Sequence, residues 1–154
     1  MSADGIIASI DQTTGVITFS ADYTETPLGN YVATVTCGEA EPIEIAITAT
    51  APSIEELTYS GTQIKMTALN RDINVTIARS PNGSRGGEIT CTMDDYNDNI
   101  SINHTETNAF SDRYGYYYDK FVFRQTSSTG GTTETNVTFT CGDITKVIPL
   151  KPYN

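Results

Sequence analysis

The chain contains no tryptophan, one histidine (His104), three cysteines and only nine lysines and arginines among 154 residues. Each shortage removes a class of reading. Few cations exclude a nucleic-acid surface, which needs clustered Lys and Arg to displace the counterions of phosphate. One histidine with no neighbouring ligand cluster leaves no metal-centre spacing, and a Ser-His-Asp grouping drawn from so common a set of residues carries no weight. Gly83, Gly86 and Gly87 are not followed by a helix or a placed lysine, so no phosphate-cradling loop is present. No apolar run is long enough to span a membrane. The expectation is a protein without catalytic residues, cofactor, membrane segment or nucleic-acid partner.

What is abundant is hydroxyl. Twenty-five Thr and eleven Ser sit among short alternating apolar stretches, the composition of solvated β-strands rather than of long helices. An all-β fold is expected. The charge is uneven: no Lys or Arg precedes Lys65, whereas nine carboxylates lie between Asp4 and Glu56. An acidic first part of this kind either keeps a β-surface soluble or offers a face to a basic partner. The amino terminus lacks the basic and apolar regions of a secretory leader, so synthesis and retention in the cytoplasm are expected. Five Asn-x-Ser/Thr sequons, at Asn74, Asn82, Asn99, Asn103 and Asn136, carry little meaning in that compartment.

An internal repeat organises the chain. Thr34-Val35-Thr36-Cys37-Gly38-Glu39 returns 104 positions later as Thr138-Phe139-Thr140-Cys141-Gly142-Asp143, with four of six positions identical. A second apolar run follows each copy, from Pro42 to Ile47 and from Lys146 to Lys151, so each reads as a hairpin closing a module. The modules are then 1–51, small, acidic and four-stranded, and 52–154, joined at Ala51-Pro52-Ser53. In the first, Ile6 to Ile10 and Val16 to Phe19 flank the turn Asp11-Gln12-Thr13-Thr14-Gly15. Four strands in so few residues are near the limit of independent stability. The first module therefore reads as a half-sandwich that leans on something.

In the second, strands are expected at Glu56 to Tyr59, Thr62 to Ala68, Ile73 to Ala78, Glu88 to Met93, Asn99 to Asn103, Lys120 to Arg124, Thr135 to Cys141 and Thr145 to Leu150. Turn signals between them are spaced as Greek-key sandwiches require. Ser53 and Glu56 have the spacing of a helix capping box, which predicts at most one helical turn. Cys37, Cys91 and Cys141 all alternate with apolar neighbours and read as reduced, core-facing thiols, with a Cys91–Cys141 bridge as the alternative.

On this strand count over residues 53 to 150, on Arg124 closing a strand before a Gly-rich loop, and on Val137-Thr138-Phe139-Thr140-Cys141-Gly142 running into Ile148-Pro149-Leu150, the chain resembles the immunoglobulin-like modules of bacterial surface proteins and phage virion proteins, BACON-type domains included. It departs from the BACON-type pattern in lacking Trp. The resemblance implies two immunoglobulin-like β-sandwich modules. It further implies an auxiliary capsid or head-decoration protein of a tailed, crAss-like phage. Such a protein is made in the bacterial cytoplasm, resides in the virion and contacts the major capsid protein or other virion subunits. The alternative is a carbohydrate-binding or adhesin-type module on a bacterial cell surface.

Two stretches are candidate sites. Arg113, Tyr114, Tyr116, Tyr117 and Tyr118 concentrate the residue types that dominate protein interfaces, and alternation should part Tyr117 from Tyr116 and Tyr118. Tyr114, Tyr116 and Tyr117 would serve as stacking rings in the glycan alternative. Asp95, Asn97, Asn99 and Glu106 match four places of a calcium loop, yet Ile100 occupies the place that demands Gly. A polar hairpin turn is the stronger expectation there.

Overall fold

A computed structural model describes residues 5–22, 27–95, 98–129 and 133–154. Among them there is no helix, and hence none long and apolar enough to cross a membrane. The chain is all-β and divides into two compact units, Met1–Ala51 and Pro52–Asn154.

The first unit is a pair of hairpins. Strands β1 (Ile6–Ile10) and β2 (Ile17–Ala21) pair antiparallel, as do β3 (Gly29–Val35) and β4 (Ile43–Ala49). The β1–β2 turn closes as its composition predicts. Thr13 and Thr14 donate their N–H groups to Asp11 Oδ1 at 2.8 and 3.0 Å, and Gly15 takes φ of 73°. Those N–H bonds, Thr14 first, hold the Asp11 carboxyl below its ordinary value. Alternation is regular but covers little: Ile6 is the one buried apolar side chain among the described residues of this unit. Ile7, Val32 and Ile43 are each more than 60% exposed.

The second unit holds two four-stranded sheets. One has the order β5 (Glu56–Thr58), β7 (Asp72–Ser80), β10 (Tyr116–Gln125), β9 (Ile100–Ser111). The other has the order β6 (Ile64–Lys65), β12 (Ile144–Lys151), β11 (Thr135–Cys141), β8 (Thr90–Met93), with β6 parallel to β12 and all other pairs antiparallel. One core draws on both sheets: Leu57, Val75, Ile77, Phe121 and Phe123 from the first, Ile64, Val137, Phe139, Ile148 and Leu150 from the second. Phe121 and Phe139 meet edge to face across it, with ring centroids 5.1 Å apart.

Several expectations are corrected. Ser53 to Glu56, allowed at most one helical turn by the sequence, forms none: Glu55 N–H donates to Ser80 O at 2.8 Å and Glu56 opens β5, because pairing with β7 outcompetes one isolated turn. The strand expected from Thr62 to Ala68 shrinks to Ile64–Lys65, while the one expected from Asn99 to Asn103 runs on to Ser111 through a polar stretch. That strand survives its polarity by pairing along its length with β10, with bulges between Tyr118 and Phe121. Both copies of the repeat form hairpins, but with different turns. Cys141 pairs directly with Ile144 across Gly142-Asp143, whereas pairing in the first copy stops at Val35 and Ile43. Pro42, just before Ile43, has no N–H to extend that ladder.

The thiols are reduced as expected, but only Cys141 is fully buried and Cys37 departs from the core-facing expectation. Cys37 is exposed, Cys91 half-buried and Cys141 buried, and all three are free. Cys91 and Cys141 lie on neighbouring strands of one sheet, β8 and β11, so they cannot form the inter-sheet bridge of antibody domains. Burial pushes the Cys91 thiol up to about 12, which keeps it protonated and unreactive.

Gly87 has φ of 68°, and a Cβ placed on it would sit 2.7 Å from Cys141 Sγ. Gly87→Ala should therefore cost more than the roughly 1–2 kcal/mol of a left-handed alanine. In a denaturation cycle with Cys141→Ala, the double variant should lose less than the sum of the two single losses; strict additivity would remove the clash.

Candidate interaction site

The tyrosine stretch is the end of the β9–β10 hairpin. Arg113 and Tyr114 lie in its turn, and Tyr116, Tyr117 and Tyr118 begin β10. Alternation divides the rings. Tyr114 and Tyr116 are parallel with centroids 5.6 Å apart, Tyr118 meets Tyr116 edge-on at 6.2 Å, and the Arg113 guanidinium lies 5.1 Å from the Tyr114 ring centre. Tyr117 points to the other side, against Phe110 at 4.8 Å, where Arg85 Nη1 donates to its hydroxyl at 2.8 Å. The candidate rings thus form one row of three and one separate anchor. Tyr118 also donates its hydroxyl to Glu106 Oε2 at 2.8 Å, and Lys120 Nζ reaches Glu106 Oε1 at 3.1 Å. These contacts, the Tyr118 bond first, lower the Glu106 carboxyl below its usual range and raise the Tyr118 phenol.

Glu106 is therefore committed on β9 and is not paired with the Asp95 loop. In that loop Asp95 N–H donates to Thr135 Oγ1 and Asn99 Nδ2 to Thr129 O. Asn97 lies outside the described residues. Among the described residues no three His, Cys, Asp or Glu side chains gather as a metal site would require.

Beneath the tyrosine hairpin is a polar anchor that the sequence reading missed. Core-facing alternation along β7 runs Ile73, Val75, Ile77, Arg79, and along β10 Asp119, Phe121, Phe123, Gln125; the two series bring Arg79 and Asp119 together inside. Both side chains are fully buried, with Arg79 Nη1 donating to Asp119 Oδ1 at 2.8 Å. Asn108 N–H donates to the same oxygen at 2.7 Å, and Arg79 gives its other donors to Gly86 O and Gly87 O. Asn108 in turn accepts from Gly86 N–H and takes φ of 49°, a left-handed conformation that Asn tolerates better than most residues. The anchor ties the Pro81–Gly87 loop to the hairpin that carries the tyrosines, and Asn82 Nδ2 adds a bond to Tyr114 O at 3.2 Å. An arginine in a core-facing register was the signal that should have demanded a buried carboxylate.

His104 stacks on Phe121 and places Nε2 2.9 Å from Asp119 Oδ2. That contact is a hydrogen bond only when Nε2 carries the proton; in the other tautomer Oδ2 has no donor. Thr107 Oγ1 lies 3.4 Å from the same Nε2. A nucleophilic relay needs its hydroxyl and its carboxylate on opposite ring nitrogens, so this grouping does not form one.

A third feature lies within the first unit. A cavity of about 360 Å³ opens between its two hairpins. Ile6, Ala8, Ile17 and Phe19 line one side, and Tyr31 to Val35 of β3 with Ile47 of β4 line the other.

Asp119→Ala should be the most damaging substitution at the tyrosine end, because it leaves the buried Arg79 charge uncompensated, at a loss of about 3–5 kcal/mol in chemical denaturation. A loss under about 1 kcal/mol would show that the pair contributes no more than an exposed one. Compared with known protein families and with curated proteins, the chain matches none.

Proposed function

We propose that the chain is a non-enzymatic structural protein: an immunoglobulin-like sandwich carrying a second, incomplete β-unit through which it attaches to a larger protein array. The sandwich reading is supported by strand order. Lettered along the chain as A, A′, B, C, D, E, F and G, strands β5 to β12 give sheets ABED and A′GFC. The constant-type immunoglobulin sheets are ABED and CFG. The array that the sequence resemblance suggests is a phage capsid, with the virion as the place of residence and capsid subunits as partners.

The observation that carries the attachment reading is the contrast in burial. The second unit closes a core of fourteen clustered apolar residues, while the first buries Ile6 alone among its described residues and leaves apolar side chains on both faces. Apolar faces of that kind are stable when something covers them. The structural reading, as against an enzymatic one, draws on the single-nitrogen contacts of His104 and on the high thiol value of Cys91. The glycan alternative loses ground because Tyr117 is turned away from Tyr114 and Tyr116, which leaves two of its three rings on one surface.

The reading predicts that a fragment of residues 52–154 melts in one cooperative transition and that a fragment of residues 1–51 shows none by calorimetry. A sharp transition in the short fragment would contradict its dependence on a partner. The capsid assignment is tested by mass spectrometry of purified particles, which should contain the chain in amounts comparable with a structural subunit; particles lacking it would refute that assignment.

A further inference from the structure

We infer that the open side of the second unit, along β8 and β9, is a self-association surface: a second copy of the chain, turned about a twofold axis, pairs β8 with β8 and β9 with β9 and so continues both sheets. This surface is separate from the first unit and does not depend on how that unit is covered. A cavity of about 520 Å³ lies here, lined by Cys91, Thr92 and Met93 of β8 and by Ile100, Ser101 and Ile102 of β9. Successive side chains of a strand point to opposite faces, and no residue of β10 or β11 takes part, so the opening follows the two strand edges rather than a sheet face. Among the described residues β8 is laddered to β11 alone and β9 to β10 alone. A smaller cleft of about 220 Å³ continues the opening past Cys91 and Ile102 to Phe121 of the core. Asp94 N–H donates to Asn136 O, and Thr126 N–H donates to Asn99 O. Antiparallel ladders alternate residues that bond inward with residues that bond outward. The backbone groups facing away from the sheets therefore belong to Cys91 and Met93 on β8 and to Ile100 and Ile102 on β9.

The edges of this sandwich are not treated alike. On one side β5 and β6 have three and two residues and carry Glu56 and Lys65. Shortness and charge are devices that keep an edge from pairing with another chain. On the other side β9 runs for twelve residues, and neither β8 nor the stretch from Ile100 to Thr105 contains Pro, Lys, Arg, Asp or Glu. The register with β10 is also unbroken from Ile100 to His104, so no bulge turns this edge away. Edges left unguarded on one side alone mark that side as an interface. A single partner strand would complete one edge and leave the other bare, whereas a second copy of the same seam completes both. With the axis through Thr92 and Ser101, the residues at the middle of the cavity, Cys91 of one copy pairs with Met93 of the other and Ile100 with Ile102. In this register Asp94 and Asp95 fall opposite Thr90 and Ile89, and Asp98 opposite His104, so none of the three meets another carboxylate. The partly buried Cys91, Met93 and Ile102 gain cover from their counterparts.

The test combines sedimentation of the full chain with directed disulfides, the latter in a Cys37→Ser background that removes the exposed thiol. Thr92 and Ser101 are exposed, so substitutions there leave the core intact. Across the axis each faces its own copy as a non-hydrogen-bonded pair, with Cα atoms about 4.5 Å apart, within reach of a disulfide. The unsubstituted chain should sediment as a dimer. Thr92→Cys and Ser101→Cys should each give a covalent dimer under mild oxidation, while Thr90→Cys, displaced from the axis on the same exposed face, should not. Thr92→Lys combined with Ser101→Lys sets like charges against each other and should weaken the dimer by about tenfold or more, with the circular dichroism unchanged. A chain that sediments as a monomer at every soluble concentration would overturn the inference. A dimer that survives the two lysines, or that cross-links as readily through Thr90→Cys, would place self-association elsewhere and overturn it equally. Cross-linking through only one of Thr92→Cys and Ser101→Cys would refute the twofold that joins both sheets.

Discussion

A β-sheet with one apolar face is held by whatever covers that face, and this constraint separates the two units of the chain. In the second unit each sheet covers the other: Phe121 meets Phe139, and Phe123, Val137, Ile148 and Leu150 belong to the same core, all essentially without exposure. Burying aromatic and aliphatic side chains of this size stabilises by about 1.5–3 kcal/mol each before chain entropy is counted. The first unit has the same alternation and the same residue types but no complementary layer of comparable extent. Its Ile7, Val32 and Ile43 remain mostly in water. The proposed attachment to a partner rests on that deficit.

Within the second unit a buried ion pair sits where hydrophobic packing stops. Arg79 and Asp119 occupy core-facing positions at the tyrosine end of their sheet, and their remaining valences go to Gly86, Gly87 and Asn108 rather than to each other. A buried pair contributes little net stability compared with apolar packing, so its value here lies in geometry. It fixes one loop conformation and one bulge, and through them the row of Tyr114, Tyr116 and Tyr118.

The all-β class was legible in Thr and Ser abundance and in period-two alternation. So was the partition of Tyr117 from its neighbours, since both follow from local chain geometry. What escaped was decided by long-range pairing. β9 extends to Ser111 because β10 supplies partners for residues whose own composition argues for a loop. Cys37 reads like Cys141 in sequence, yet it is exposed for want of an opposing layer. Ser53 and Glu56 have cap spacing but face a ready strand partner in β7. Arg79 was legible in principle, by extending the register of Val75 and Ile77 two residues further, while its partner Asp119 is forty positions away. The cavity of the first unit needed coordinates, because no local pattern reveals how closely two hairpins approach.

The central claim, that one unit folds on its own core and the other depends on a cover, is tested most directly by native-state amide hydrogen exchange of the free, full-length chain at low concentration. The account predicts that core amides of β7, β10 and β11 exchange only through global unfolding, while those of β1 to β4 exchange many orders of magnitude faster through local opening. Protection of β1 to β4 equal to that of β7, β10 and β11 would contradict it.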